Sequence, residues 1–263
     1  RLLEALEQAP GLGLVVTAHC EDLYLAAGGL MHEGEVSRKL GVPGIPAAAE
    51  DCGTAREIAA AASLGAPIHI CHVSTKGSVE LIRDAKARGV RVTAETCPHY
   101  LLLTDQALEF QDADYRMNPP LRTEEDRLAL IEGLQDGTLD AIATDHAPHS
   151  PEEKADFFKA PNGSIGMETS LAATLTALQG KMSLSEILEK MSVNPARILG
   201  IPGGTLREGA NADVVLFDPE KEWVVDPEKL HGKSKNTPFK GRKLKGKVVL
   251  TIFRGRVVYD ARC

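Results

Sequence analysis

The chain lacks the features of a membrane, secreted or disulfide-bonded protein. No apolar run approaches the roughly 20 residues that a membrane helix needs. The first residues, LLEALEQ, are helix-like rather than basic and then apolar as in a signal peptide. The five cysteines include no CxxC pair, which argues against both a disulfide framework and a thiolate zinc site. We therefore predict a chain that resides in the reducing cytoplasm and does not enter a membrane.

An excess of positive charge is also absent. The formal net charge is -7 at pH 7, whereas a nucleic-acid or anionic-membrane surface needs clustered Lys and Arg to neutralise phosphate. With 43% hydrophobic and 25% charged residues in 263, the chain can bury a sizeable core. The composition therefore predicts a globular protein that binds a small molecule and neither nucleic acid nor membrane.

Between Leu12 and about Gly203, short β-branched runs alternate with longer runs rich in Ala, Leu and charged residues. This rhythm predicts the strand and helix units of a parallel sheet covered by helices, an α/β fold. Capping-box patterns and terminal glycines support the predicted helices, at Thr123, Ser150 and Ser183 and at Gly65, Gly89 and Gly137. After Gly203 the segments DVVLFDP, EWVV and KVVLTIFRGRVVYD predict a small β-rich appendage.

Three predicted strands are followed by a side chain of a metal-ligand type: His19 after LVVTA, His72 after IHIC and Asp145 after AIAT. Because alternate residues of a strand share a face, we expect the sets 15/17/19, 68/70/72 and 141/143/145 each to point into a barrel. Side chains at the carboxyl ends of barrel strands converge on one mouth. Two imidazoles and a carboxylate there predict part of a zinc site.

The other histidines are weaker candidates. His69 lies three positions before His72, so strand alternation places it toward the helix layer, where packing or a local hydrogen bond would explain it. His32 and His231 lie in polar, loop-like contexts. His146 and His149 share the loop after Asp145, and His149 is the better candidate for touching substrate.

Seven segments carry a resemblance to a known family, in order and spacing. They are AHCED (18–22), GIPAAAED (44–51), ICHVST (70–75), ETCPHYL (95–101), NPPLR (118–122), DAIATDHAPH (140–149) and NPARILGI (194–201). Together they resemble the second part of the class I bacterial dihydroorotases of the amidohydrolase superfamily. NPPLR and DHAPH are the most specific, since related allantoinases and hydantoinases usually vary at these two places.

The resemblance implies roles for particular residues. His19 and His72 match the histidines that hold the more buried zinc of a binuclear pair. Asp145 matches the carboxylate that binds the other zinc and transfers the proton in catalysis. Asn118 and His149 match side chains that contact the substrate, and Asn162 with Gly163 occupies the place of a backbone contact to the pyrimidine ring. The family usually has an aromatic residue before that glycine, so Asn162 departs from the pattern.

The implied activity is the reversible cyclisation of N-carbamoyl-L-aspartate to dihydroorotate in pyrimidine biosynthesis. The resemblance also implies two zinc ions per complete site, a homodimer and a possible association with aspartate carbamoyltransferase. The chain contains no His-x-His sequence, however, and the family's bridging carboxylate ligand and its substrate-binding Arg after the paired histidines are not found either.

A closed barrel has eight strands, and the sequence offers only four candidates. We therefore predict that residues 1–203 are the second half of a (β/α)8 TIM-like barrel and that residues 204–263 are the C-terminal part of a small β-sandwich domain. On this hypothesis the chain is a piece of a longer protein and is inactive alone.

Three alternatives remain open. A hydantoinase or allantoinase would share the zinc ions and the barrel but act on a different ring. A non-catalytic homologue could instead serve as a structural partner of aspartate carbamoyltransferase. The chain could also be a natural half-barrel that dimerises.

Overall fold

The computed structural model describes residues 1–262 as alternating helices and strands. The helices are α1 Leu2–Gln8, α2 Leu23–Ala26, α3 Glu35–Leu40, α4 Ala47–Leu64, α5 Lys76–Ala87, α6 Pro98–Leu102, α7 Glu124–Gln135, α8 Ser170–Leu178, α9 Leu184–Leu188 and α10 Asn194–Leu199. The strands are β1 Val16–Ala18, β2 Met31–His32, β3 Gly44–Ile45, β4 Ile68–Ile70, β5 Val92–Thr96, β6 Ala141–Ile142, β7 Val214–Val224, β8 Lys243–Phe253 and β9 Arg256–Asp260. Among the described residues, no helix combines the length and the hydropathy needed to cross a bilayer.

Strands β1, β4, β5 and β6 form one sheet in this order, and all neighbouring pairs are parallel. Helix α4 precedes β4, α5 precedes β5 and α7 precedes β6, so each crossover carries a helix, as parallel strands require. Four sequential parallel strands with helices between them are half of a TIM-like barrel. The predicted α/β fold class and its four barrel strands are confirmed.

Local capping chemistry sets two of the predicted helix starts. The Thr123 hydroxyl accepts the Asp126 N–H at the start of α7, and the Asp126 carboxylate accepts the Thr123 N–H in return. Ser183 forms the same reciprocal pair at the start of α9. Ser150 and Glu153 also exchange these hydrogen bonds, but the residues that follow form only a turn. The helix predicted from the Ser150 pattern is therefore wrong.

The predicted orientation of β4 is also wrong. Thr17, His69 and Thr93 are register partners on adjacent strands and so share one face of the sheet. Thr17 is exposed, so this face is the inner face of the half-barrel. Ile68 and Ile70 lie on the opposite face, each 1% exposed in the core beneath the helices. His69 therefore faces inward, where Nδ1 lies 2.8 Å from the Thr93 hydroxyl and supplies the local hydrogen bond predicted for it.

The C-terminal β-rich segment forms a three-stranded antiparallel sheet, β7-β8-β9. The predicted runs DVVLFDP and EWVV are one strand, β7, with a bulge between Asp218 and Glu222 rather than two strands separated by a turn. Arg254 and Gly255, with φ of 48° and 77°, make the tight turn between β8 and β9. The division into residues 1–203 and 204–263 stays a prediction; its last residue, Cys263, lies outside the described residues.

Candidate metal and substrate site

The three predicted metal ligands follow β1, β4 and β6 at the carboxyl edge of the parallel sheet. His72 and Asp145 have φ of 36° and 47°, a left-handed conformation that few residues other than glycine adopt. By strict alternation His72 would follow Ile70 toward the helices. Its left-handed backbone breaks that alternation and turns the ring toward His19. Backbone conformations of this kind cluster at functional sites.

The imidazoles of His19 and His72 are in contact. His19 Nδ1 lies 3.0 Å from His72 Nε2, and the ring centroids are 4.8 Å apart at an interplanar angle of 67°. Burial lowers the pKa of His72, Asp145 opposes this with its negative charge, and nearby His19 lowers the pKa further. His72 is therefore neutral, the form in which imidazole binds a metal.

Asp145 faces two fully buried side chains. Its carboxylate, the Cys97 sulfur and a ring nitrogen of His99 all lie within 4.8 Å of one another. Burial lowers the pKa of His99 to about 3, with a smaller contribution from His72, so this imidazole is neutral. Burial also raises the pKa of Cys97 well above its usual value, which keeps the thiol protonated.

The donor set fits a divalent metal. His72 Nδ1 is buried with no hydrogen-bond partner among the described residues, as is His99 Nε2. Buried polar atoms are normally paired, so unpaired ones at a strand-end cluster indicate a site built for a further group. Two imidazoles with a carboxylate suit zinc better than magnesium or calcium, which favour oxygen ligands. His19 and His72, whose rings are in contact, and Asp145, whose charge acts on His72, are the residues that could hold it. Within residues 1–262, the three donor groups that lie close enough together to share one ion are Cys97, His99 and Asp145.

Two predicted substrate-contacting amides lie in this region with unpaired oxygens. Asn118 Nδ2 is 3.5 Å from His19 Nε2, while Asn118 Oδ1 is buried and has no partner within residues 1–262. Asn162 Oδ1 is unpaired in the same way. Asn118 therefore adjoins the imidazole pair, and both amides have an oxygen left for a further group.

His149, Asn162 and Gly163 form one hydrogen-bonded unit. His149 Nε2 donates to the Asn162 carbonyl at 3.0 Å. The Gly163 N–H donates to the Arg116 carbonyl at 2.8 Å. Gly163 has φ of 128°, and a Cβ there would lie 2.4 Å from that of Ala147, so the loop needs glycine at this position. The structure thus brings together three of the four residues that the sequence proposed for substrate contact, His149, Asn162 and Gly163, while Asn118 lies beside His19.

A buried network of charged and polar side chains lies next to the residues that follow His72. Arg122 and Glu50, each 3% exposed, form an ion pair at 3.5 Å, and Arg122 Nε donates to the Ser74 hydroxyl at 3.1 Å. Glu50 also accepts the N–H groups of Ser74 and Thr75 at 2.9 and 3.1 Å. The network therefore ties α4 and the NPPLR segment to the residues just after His72.

His32 belongs to the same network. It is 7% exposed in β2, and its Nδ1 accepts a hydrogen bond from Arg122 at 3.2 Å. Burial and the Arg122 charge lower the pKa of His32 to about 4, so it stays neutral. The sequence had placed His32 in a loop, and that placement is wrong. His231 pairs with Glu168 at 2.8 Å, and His146 Nδ1 accepts the Gly166 N–H, so both have structural partners.

A half-barrel of parallel strands with imidazoles and a carboxylate at its carboxyl edge is the arrangement of a TIM-barrel hydrolase of the metal-dependent class. The model of the Amidohydrolase family matches residues 1–258, and the chain belongs to that family.

Individual relatives agree with this assignment. The chain is 55% identical over 258 residues to a dihydroorotase of Syntrophus aciditrophicus and 53% identical over 259 residues to one of Geobacter sp.. These matches take in 97% and 98% of the chain but only 61% of each relative, so the chain spans about three fifths of their length.

Solved structures give the same picture at lower identity. A D-hydantoinase superposes with a TM-score of 0.86 at 33% identity, over 98% of this chain and 60% of that one. The dihydropyrimidinase from Brevibacillus agri superposes with a TM-score of 0.87 at 31% identity, over 99% of this chain and 60% of that one. The chain therefore shares the fold of the part of each structure that it covers, while its nearer sequence matches include the two dihydroorotases.

Proposed function

We propose that the full-length protein containing this chain is a zinc-dependent dihydroorotase, which interconverts dihydroorotate and N-carbamoyl-L-aspartate in pyrimidine biosynthesis. The observation that carries the proposal is the 55% identity over 258 residues to a protein named dihydroorotase, against 33% to a D-hydantoinase. The contact between His19 and His72 and the nearby Asp145 supply the chemistry that this reaction needs.

In the hydrolytic direction, water attacks the ring carbonyl carbon, the bond from that carbon to the ring nitrogen breaks, and the nitrogen leaves with a proton. When bound at His19, His72 and Asp145, zinc would supply Lewis-acid activation of the carbonyl and of water. Asp145 is the proton carrier: it takes a proton from the attacking water and gives it to the departing nitrogen.

The amide groups of Asn118 and of Asn162–Gly163 and the imidazole of His149 would orient the substrate. The unpaired Asn118 Oδ1 is an acceptor for a ring N–H group, and the Asn118 amide N–H is a donor for the substrate carboxylate. The Asn162–Gly163 backbone is the proposed further contact to the ring. His149, held against Asn162, completes this set. A cytoplasmic location, a homodimer and an association with aspartate carbamoyltransferase stay predictions.

The substrate is tested by assaying the zinc-loaded full-length gene product with dihydroorotate, hydantoin and allantoin. We expect kcat/KM for dihydroorotate to exceed that for either five-membered ring by about 100-fold or more, because the substrate carboxylate has dedicated partners. Faster turnover of hydantoin would favour the hydantoinase alternative, to which the structural similarity to a D-hydantoinase lends support. No turnover of any ring would favour the non-catalytic alternative.

The metal ligands are tested by zinc content. We expect His19→Ala and His72→Ala each to lower the zinc bound by the full-length protein by about one ion per chain, since each removes a ring nitrogen of one site. His231→Ala is the matched control, because this ring pairs with Glu168 on the surface. Atomic emission after exhaustive dialysis measures the stoichiometry. Unchanged zinc in both His19 and His72 variants would remove these residues from the ligand set.

A further inference from the structure

Asn236 comes from the C-terminal segment but is buried against the loop residues His149 and Gly163. The residues from 236 to 239 are all buried, and Asn236 itself is 5% exposed. Its Oδ1 accepts the His149 N–H at 3.1 Å. Its Nδ2 donates to the carbonyl oxygens of Ala147 and Gly163, each at 3.1 Å. One amide therefore joins two separate stretches of the loop region, the one with His149 and the one with Gly163.

The backbone of Asn236 adds a fourth connection, because its carbonyl accepts the Ile165 N–H at 3.0 Å. The side-chain amide uses one acceptor and both donor hydrogens, a combination that only Asn and Gln offer. Aspartate has nearly the same shape but would set a carboxylate oxygen against two carbonyl oxygens. The position is therefore matched to an amide and not merely to a small polar side chain.

The groups joined by Asn236 are the ones proposed to contact substrate. His149 reaches the Asn162 carbonyl through its ring, while its own N–H is held by Asn236. Gly163 is held by Asn236 at its carbonyl, and Lys154 Nζ donates to the same oxygen at 2.9 Å. Asn236 thus sets the distance between the His149 ring and the Asn162 amide, although it hydrogen-bonds neither the ring nor the Asn162 side chain.

We propose that Asn236 is a positioning residue for substrate recognition, which fixes His149 and the Asn162–Gly163 backbone at the spacing that the ring and its carboxylate require. The four hydrogen bonds of Asn236 form a clamp on the loop. The inference rests on the proposed function, since it assigns this clamp to substrate binding. It also gives the C-terminal segment a part in the site. A displacement of about 1 Å in such a loop can lower catalytic efficiency by about 100-fold.

The test compares Asn236→Ala and Asn236→Asp with a matched control, Asn194→Ala, in the zinc-loaded full-length protein. Asn194 is partly buried, and like Asn236 it donates through Nδ2 to a backbone carbonyl, that of Asp140 at 2.9 Å, at the opposite edge of the barrel sheet. We expect Asn236→Ala to raise KM for dihydroorotate about 10- to 100-fold with kcat nearly unchanged. Asn194→Ala should leave KM unchanged, and zinc content should be equal in all variants.

Hydrogen exchange measures the hydrogen bond from the His149 amide to Asn236 independently of its effect on KM. The His149 amide should lose protection in Asn236→Ala, which removes its acceptor, and keep it in Asn236→Asp, which retains one. Asn236→Asp should nonetheless raise KM, because its carboxylate repels the Ala147 and Gly163 carbonyls.

An unchanged KM in both Asn236 variants, with wild-type protein active on dihydroorotate, would overturn the inference and leave the proposed function standing. A wild-type protein inactive on dihydroorotate, whose His149 amide still loses protection in Asn236→Ala, would overturn the function and leave only a structural clamp.

Discussion

Replacing Asp145 by asparagine is expected to lower kcat for dihydroorotate by about 10²- to 10⁴-fold, the usual contribution of a positioned acid–base group. Asparagine has the same shape but cannot take a proton from water and deliver it to the leaving nitrogen. The loss should fall mainly on kcat, since the groups proposed to bind the ring, Asn118 and His149, are unchanged. Steady-state kinetics on the zinc-loaded full-length protein measure it.

The matched control for this variant is Asp140→Asn on the same stretch of chain. Asp140 precedes β6 at the opposite edge of the sheet, where it accepts hydrogen bonds from Lys86 at 2.7 Å and the Ala94 N–H at 2.8 Å. Its replacement should lower stability and leave kcat nearly unchanged. Near-normal turnover by Asp145→Asn, with zinc bound, would exclude Asp145 as the proton carrier.

Replacing Arg122 by methionine is expected to lower the free energy of unfolding by about 3–5 kcal/mol, the range for breaking a buried ion pair from one side. The change leaves the Glu50 carboxylate, 3% exposed, without its counter-charge. It also removes the donor to Ser74 and to His32. Urea denaturation followed by circular dichroism measures the loss.

Two comparisons make the Arg122 result specific. Arg83→Met breaks an exposed ion pair with Asp136, at 2.7 Å, and should cost only about 0–1 kcal/mol. Adding Glu50→Gln to Arg122→Met should recover part of the lost stability, because it removes the unpaired charge. A loss in Arg122→Met no larger than that in Arg83→Met would mean that the buried pair does not hold the structure together.

Much of the fold could be predicted because its signals are local. Periodicity and end signals such as the Thr123 capping box and Gly65 identify helices from neighbouring residues alone. The orientation of β4 could not be predicted in this way. The prediction assumed that the alternation of side chains in β4 continues to His72. The left-handed backbone at His72 breaks this alternation after the strand has ended, so the inward face of β4 carries His69 and not Ile68 and Ile70.

The residues of the candidate site likewise divide into those with a local sequence signal and those without one. His19, His72 and Asp145 could be proposed because each lies within three residues of the end of a recognisable strand, and His149 because it shares the loop after Asp145. Asn236 could not, since its partners lie 73 to 89 positions away in the sequence. Glu50 and Arg122 belong to the motifs GIPAAAED and NPPLR, but only the fold shows that these two segments meet.

The position of bound zinc in crystals of the full-length protein tests the central claim most directly. Anomalous difference maps from data collected on both sides of the zinc absorption edge locate the metal without reference to activity. We expect a peak bonded to the ring nitrogens of both His19 and His72 at the carboxyl edge of the parallel sheet. Zinc bound only elsewhere, for example at the Glu168–His231 pair, would contradict a metal site built from these strand ends.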